Sequence, residues 1–229
     1  MSKNEKLDLI QEILLTVLAI LVVRLILIFA VDLNALADII CKRYENKQYN
    51  EYVYAKGSIN EYVLDETSKI IMQGNIPKSL YQTFYENGGM VYVSDEELNK
   101  ICHEEEKENA TILGVFEYGE TDYSIYLTDD LEYTTCGTLE HEFGHYLDYL
   151  FGWKSESERF LKIFEEEKKG FQENINNGEH YKTQGEYFAE CYETYLTDKK
   201  KLKKYCPKTC QFIDELTTSL ETYYGISSQ

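Results

Sequence analysis

The sequence predicts an α+β domain, mostly helical with a small sheet near its start, preceded by an apolar N-terminal helix. Three observations carry this. From Asn60 onward most apolar residues recur at helical spacing. Short apolar runs at Met90–Val93 and within 111–128 are bounded by glycine-containing turns, as strands are. Ile13–Val31 reads ILLTVLAILVVRLILIFAV, and only Thr16 and Arg24 in it are polar.

The apolar run comes first. Roughly 20 such residues cross a bilayer core of about 30 Å, and Arg24 would cost about 2.5–3.5 kcal/mol near its centre. The run is expected to be an uncleaved signal anchor, making residues 1–41 a segment with a transmembrane helix. A cleaved signal peptide is the second reading, because Ala35-Leu36-Ala37 has the small-x-small form of a cleavage site. A buried core helix is the third. Lys and Arg flank the run on both sides and do not choose an orientation. Residues 42–57, polar and tyrosine-rich, read as a partly helical juxtamembrane connector, and 58–229 as the folded domain.

Within that domain Asn60–Gln73 is helical and stops at Gly74, and Pro77 opens a short helix through Tyr85. Asn87-Gly88-Gly89 turns the chain into strand Met90–Val93. Ser94 to Glu97 caps a helix running into the acidic stretch Glu104–Glu108. Thr111–Tyr118 and Asp122–Thr128 form two strands joined at Gly119-Glu120. Helices follow at Thr135–Phe151, Glu156–Lys169 (ended by Gly170), Tyr187–Leu196 and Thr209–Tyr223, with a polar loop at 171–183.

Composition narrows the partners. Of the 229 residues 43% are hydrophobic, enough for a packed core, and 28% are charged. Acidic residues outnumber basic ones 41 to 23, a net charge of −18. Duplex binding needs clustered Lys and Arg, so nucleic acid is excluded as a partner. The six cysteines form no CxxC pair and leave the redox compartment open.

The chemistry concentrates at His141-Glu142-Phe143-Gly144-His145. Positions i and i+4 share a helix face, so both imidazoles can reach one Zn²⁺ at about 2.0–2.1 Å. Glu142 stands at the edge of that face, where it can take a proton from water. Catalytic zinc usually has three protein ligands. Glu186 and Glu190, again i and i+4, are the downstream candidates: one to ligate, the other to hold an imidazole from behind.

HEFGH, then EYFAE at 186–190, then CPKTCQFIDEL at 206–216, together resemble the catalytic domain of anthrax toxin lethal factor and the secreted Pro-Pro endopeptidases that share it. The resemblance covers about residues 58–225. It implies a zincin-like metalloprotease domain with one Zn²⁺ per chain, held by His141, His145 and Glu186. Glu142 would be the general base acting on zinc-bound water, and Glu190 would stand behind the ligands. The substrate would be an extended peptide or protein. The family also places a tyrosine oxyanion donor seven residues before the ligand Glu. Here that position is Glu179, so the role is expected to pass to Tyr181, with His180 as the rival donor. The resemblance does not extend to the apolar run, which by itself predicts a membrane-anchored enzyme, or one secreted after cleavage near Ala37; the secreted relatives imply that the domain is extracytoplasmic. The alternative is an inactive metal-binding module that recognises a peptide without cutting it. Intact Glu142 counts against that reading.

Overall fold

The structure, a computed structural model, describes residues 46–48, 53–56, 61–73, 76–101, 112–119, 122–130, 137–176 and 183–223. The chain divides into units 1–46 and 47–229, and apart from Asn46 the description here is of the second. The expected anchor, Ile13–Val31, lies outside the described residues. Among the described residues no helix is long and apolar enough to cross a membrane.

Five strands make one sheet: β1 (Asn46–Gln48), β2 (Val53–Lys56), β3 (Met90–Val93), β4 (Gly114–Tyr118) and β5 (Tyr123–Leu127), in the order β1-β2-β3-β5-β4. β2, β3 and β5 are parallel neighbours, with Val53 opposite Val91 and Val91 opposite Ile125. β3 is central, and Val91 to Val93 are buried. This explains its unbroken apolar sequence, since a parallel strand covered on both faces has no polar side to show. β4 and β5 form the expected antiparallel hairpin, with Phe116 opposite Ile125.

Segment 42–57, expected to be a partly helical connector, contributes β1 and β2 to the sheet instead. Val53 and Tyr54 are good strand formers. The pairing that commits them to a strand is with β3, which lies far away in sequence.

Seven helices are described: α1 (Glu61–Met72), α2 (Lys78–Glu86), α3 (Asp95–Ile101), α4 (Leu139–Leu150), α5 (Glu158–Asn174), α6 (Gln184–Tyr205) and α7 (Pro207–Tyr223). Ser94 Oγ accepts from Glu97 N–H, so the expected cap of α3 is present. The acidic stretch beyond it, and Gly74, lie outside the described residues. Gly170 does not end α5. It sits inside the helix where an added Cβ would meet the Tyr205 carbonyl at 3.1 Å, so it serves close packing. The helix thereby takes in the first residues of the expected loop. α6 starts before Tyr187, with Thr183 Oγ1 accepting from Glu186 N–H. The expected end near Leu196 is instead a kink at Asp198, whose carboxylate accepts from Lys201 N–H and starts the helix again. α7 opens at Pro207, a residue suited to the first helical turn. Glu167 of α5 caps it, accepting from Lys208 N–H and from Thr209 N–H and Oγ1 at 2.8–2.9 Å.

The core is largely aromatic. Phe84 of α2 meets Tyr123 of β5 and Phe143 and Tyr146 of α4, with ring centroids 4.9–5.3 Å apart. On the far side Phe160, Phe188 and Phe212 join α5, α6 and α7. Such pairs add about 0.5–1.5 kcal/mol each beyond burial of their area. Tyr146, Tyr187 and Tyr192 are wholly buried, deeper than half-buried surface tyrosines. The Tyr187 hydroxyl is satisfied by Thr209 Oγ1 at 3.0 Å. Cys191, Cys206 and Cys210 are buried free thiols.

α4 and α6 cross at their smallest residues. A Cβ added to Gly144 would stand 2.9 Å from Ala189 Cα and 3.1 Å from Tyr192 Cβ. Replacing a helical Gly by Ala ordinarily gains about 1 kcal/mol. Here the obstacle is backbone, so the sign reverses. Gly144→Ala should destabilise the fold by about 1–3 kcal/mol, read as a lower urea midpoint at unchanged m-value. An unchanged or higher midpoint would show that the two helices are free to part.

Candidate metal and peptide site

α4 carries His141, Glu142 and His145 out of the aromatic core because its opposite face holds Leu139, Phe143, Tyr146 and Leu147 there. The two imidazoles converge, with Nε2 atoms 3.1 Å apart. Glu186, in the first turn of α6, closes the triangle. Its Oε2 lies 3.3 Å from His141 Nε2 and its Oε1 3.5 Å from His145 Nε2. Bonds of about 2.0–2.1 Å at tetrahedral angles give a ligand–ligand edge of about 3.3 Å. The three groups therefore fit one zinc ion: two neutral nitrogens and a carboxylate, with a fourth direction left over.

Behind the triangle, Glu190 Oε1 lies 3.6 Å from His141 Nδ1. A carboxylate there favours the proton on Nδ1 and leaves Nε2 free to ligate. Asn176, at the end of α5, donates from Nδ2 to Glu190 Oε2 at 2.9 Å and fixes that carboxylate. Glu193, one turn further along α6, can form a second triplet with His141 and Glu190. Burial and the charge of Glu190 push its carboxyl up to about 7. Sequence reasoning assigned nothing to Asn176 or Glu193. For Glu193 the signal was present, since it continues the Glu186, Glu190 stripe at i+3. For Asn176, which follows the end of another helix, there was none.

Burial alone would lower the His141 imidazole, but the Glu186 hydrogen bond and the charges of Glu142 and Glu190 push it up to about 9. Burial would raise Glu186, yet its bonds to His141 and His145 hold it well below the usual carboxylate range. Its place in the first turn of α6 works in the same direction, because a helix N-terminus favours negative charge.

Glu142 is buried, and burial raises its carboxyl against the pull of His141 and His145. It sits against edge strand β4, where it receives a hydrogen bond from the Phe116 backbone. The register explains why that N–H is available. Thr128 N–H bonds Leu113 O and Gly119 N–H bonds Asp122 O, so odd-numbered β4 residues face β5. Gly114, Phe116 and Tyr118 then turn their N–H and C=O groups to the open edge. Gly114 also makes room for the base, since a Cβ there would lie 2.9 Å from Glu142 Oε1.

Asp148, wholly buried one turn beyond His145, accepts from Ser155 N–H at 2.8 Å and from Ser155 Oγ at 2.5 Å. It ties the turn after α4 to the helix. Tyr181 and His180, the expected oxyanion donors, lie outside the described residues.

A helix bearing HExxH beside strand β4, with a carboxylate from α6 completing a metal-sized triangle, is the arrangement of a peptidase-type domain. A family model described as anthrax toxin lethal factor, N- and C-terminal domain, matches residues 41–216, and the chain belongs to that family. The match begins ahead of β1. Among solved structures the chain is similar to the Pro-Pro endopeptidase PPEP-2 from Paenibacillus alvei, at 21% identity and a TM-score of 0.56. The similarity covers 72% of this chain and 97% of that one. A search of curated proteins found no match.

Removing Glu186 should differ from removing Glu190. Glu186→Ala should abolish zinc retention, while Glu190→Ala should weaken zinc affinity by about 10–100-fold, measured by chelator competition. The reverse ranking would exchange their roles. Zinc must also displace the His141 proton, which is held up to about pH 9 without metal. Apparent affinity should therefore climb by up to about tenfold per pH unit on approaching pH 9 and then flatten.

Proposed function

We propose that the protein is a zinc-dependent endopeptidase that cleaves an extended peptide or protein. The observation that carries this is the convergence of His141, His145 and Glu186 beside a buried Glu142 on an open strand edge. Bound zinc would polarise the scissile carbonyl and acidify water. The chain supplies the remaining functions. The N–H and C=O groups of Gly114 and Tyr118 and the Phe116 carbonyl, which pair with no backbone among the described residues, can pair with substrate backbone, extending the sheet by one strand. Glu142, its carboxyl raised by burial, takes a proton from the attacking water and passes it to the leaving amine. Tyr181 is the proposed donor to the oxyanion, with His180 as the rival. Glu190, braced by Asn176, keeps His141 oriented.

Glu142→Gln keeps the shape of the base and removes its ability to accept a proton. It should retain one zinc per chain and lose turnover by at least about 100-fold, measured on a peptide library. Tyr181→Phe should lower kcat by roughly 10–1000-fold with KM little changed. If His180→Ala shows that loss and Tyr181→Phe does not, the donor is His180. Wild-type protein that holds zinc and cuts nothing would favour the recognition-module reading.

We further propose that Ile13–Val31 anchors the enzyme in a membrane with the catalytic domain outside the cytoplasm. The support is the length and apolarity of the run. Full-length protein should stay with membranes through a carbonate wash, and its domain should be shaved from intact cells by added protease. A soluble form beginning at Asp38 in the medium would replace the anchor with a cleaved signal.

A further inference from the structure

Catalysis as proposed leaves one aromatic group on the catalytic face unused. Tyr149 lies two turns beyond His141 and one beyond His145, on the stripe that also holds Glu142. Its ring lies 5.5 Å from Tyr118 of β4 and 5.6 Å from Trp153, and Tyr118 and Trp153 are themselves 4.9 Å apart. Tyr118 is 52% exposed although large and aromatic. Trp153 is also the one residue other than glycine with positive φ (56°) among the described residues, a conformation side chains rarely adopt. It is held there. Its N–H bonds Asp148 O at 2.8 Å, and the Asp148 carboxylate clasps Ser155 on its other side. A strained backbone pinned by a buried carboxylate keeps an indole at the end of the strand edge that meets Glu142.

We propose that Tyr118, Tyr149 and Trp153 form a specificity subsite for a bulky apolar side chain of the substrate, N-terminal to the cleaved bond. This rests on the endopeptidase reading. A peptide added antiparallel to β4, the more stable pairing, runs opposite to that strand. Its residues opposite Gly114 to Phe116 lie over Glu142. The residue opposite Tyr118 comes earlier in the peptide, about 6.8 Å along the strand from Phe116. Directly opposed residues share a face of a sheet. Gly114, Phe116 and Tyr118 face α4, as their approaches to Glu142, Tyr146 and Tyr149 show. The side chain opposite Tyr118 therefore lands on the rings. Leu, Ile, Met, Phe or Tyr would cover exposed aromatic surface, and Gly, Ser or a carboxylate would not.

The test uses the full-length zinc-loaded protein and a random decapeptide library, with the cut products sequenced. Bulky apolar residues should be enriched two or three positions before the cut. Trp153→Asn removes the indole with a residue that tolerates positive φ, and Tyr118→Thr keeps a strand former. Each should reduce the preference for Leu over Gly at that position, taken as a ratio of kcat/KM, by about tenfold, mainly through KM. An unchanged ratio in both variants overturns the subsite. A second readout needs no turnover, because Trp153 is the only tryptophan in the chain. In Glu142→Gln its emission should shift to the blue on titration with an acetylated Ser/Gly octapeptide bearing one Leu, and stay put with the Gly version. An emission shift without cleavage by wild type supports the subsite and overturns the endopeptidase reading. Cleavage with a flat profile and silent emission overturns the subsite alone. Neither cleavage nor shift overturns both.

Discussion

The close approach of Gly144 to Ala189 is the constraint on which the site depends. Metal-sized triangles tolerate errors of a few tenths of an ångström, and two of the three groups come from a different helix than the third. Side-chain rotamers alone do not absorb a displaced helix axis. The separation of α4 and α6 therefore has to be set by backbone contact, and Gly144 against Ala189 sets it. Both residues belong to the two short motifs that carry the chemistry. The glycine of HEFGH and the alanine of EYFAE are the packing half of sequences whose other half forms the candidate site.

Around that contact the described residues concentrate negative charge. Glu142, Glu186, Glu190 and Glu193 all lie near His141 and His145. The carboxylates hold the His141 imidazole up against its burial, and burial together with the charge of Glu190 raises the Glu193 carboxyl. The donor set is one that a divalent ion would fit. Asn176 contributes orientation without charge and brings α5 into the same network.

How much of this was legible in the sequence depended on range. HEFGH and EYFAE declare themselves because their spacing matches one helix face, and their side chains meet as that spacing requires. The β4–β5 hairpin was legible for the same local reason. Strands β1 and β2 were not, because a tyrosine-rich segment is committed to strand only by β3, which comes much later in the chain. Gly170 misled because a glycine near a helix end and a glycine beneath a crossing carbonyl look alike in one dimension. The start of α6 was readable in principle. Thr183-Gln184-Gly185-Glu186 is a capping-box pattern, though Glu186 turns its carboxylate to the histidines instead of back to the cap. Glu167 capping α7 from another helix left no local trace, although Pro207-Lys208-Thr209 marked where a cap was needed.

The open edge of β4 also bears on how these molecules coexist in solution. A strand that leaves its backbone groups free for a substrate leaves them equally free for any other extended chain, including an unfolding copy of itself. Proteins commonly blunt such an edge with charge or cover it, but covering would close the cleft. Here the protection is collective. A net charge of −18 keeps copies apart at neutral pH without placing a cation or a proline on the edge. That protection fades near the isoelectric point of about 4.6, so the acidity of the chain, with exposed Glu117 on β4 itself, works against self-pairing of a strand whose edge is open among the described residues.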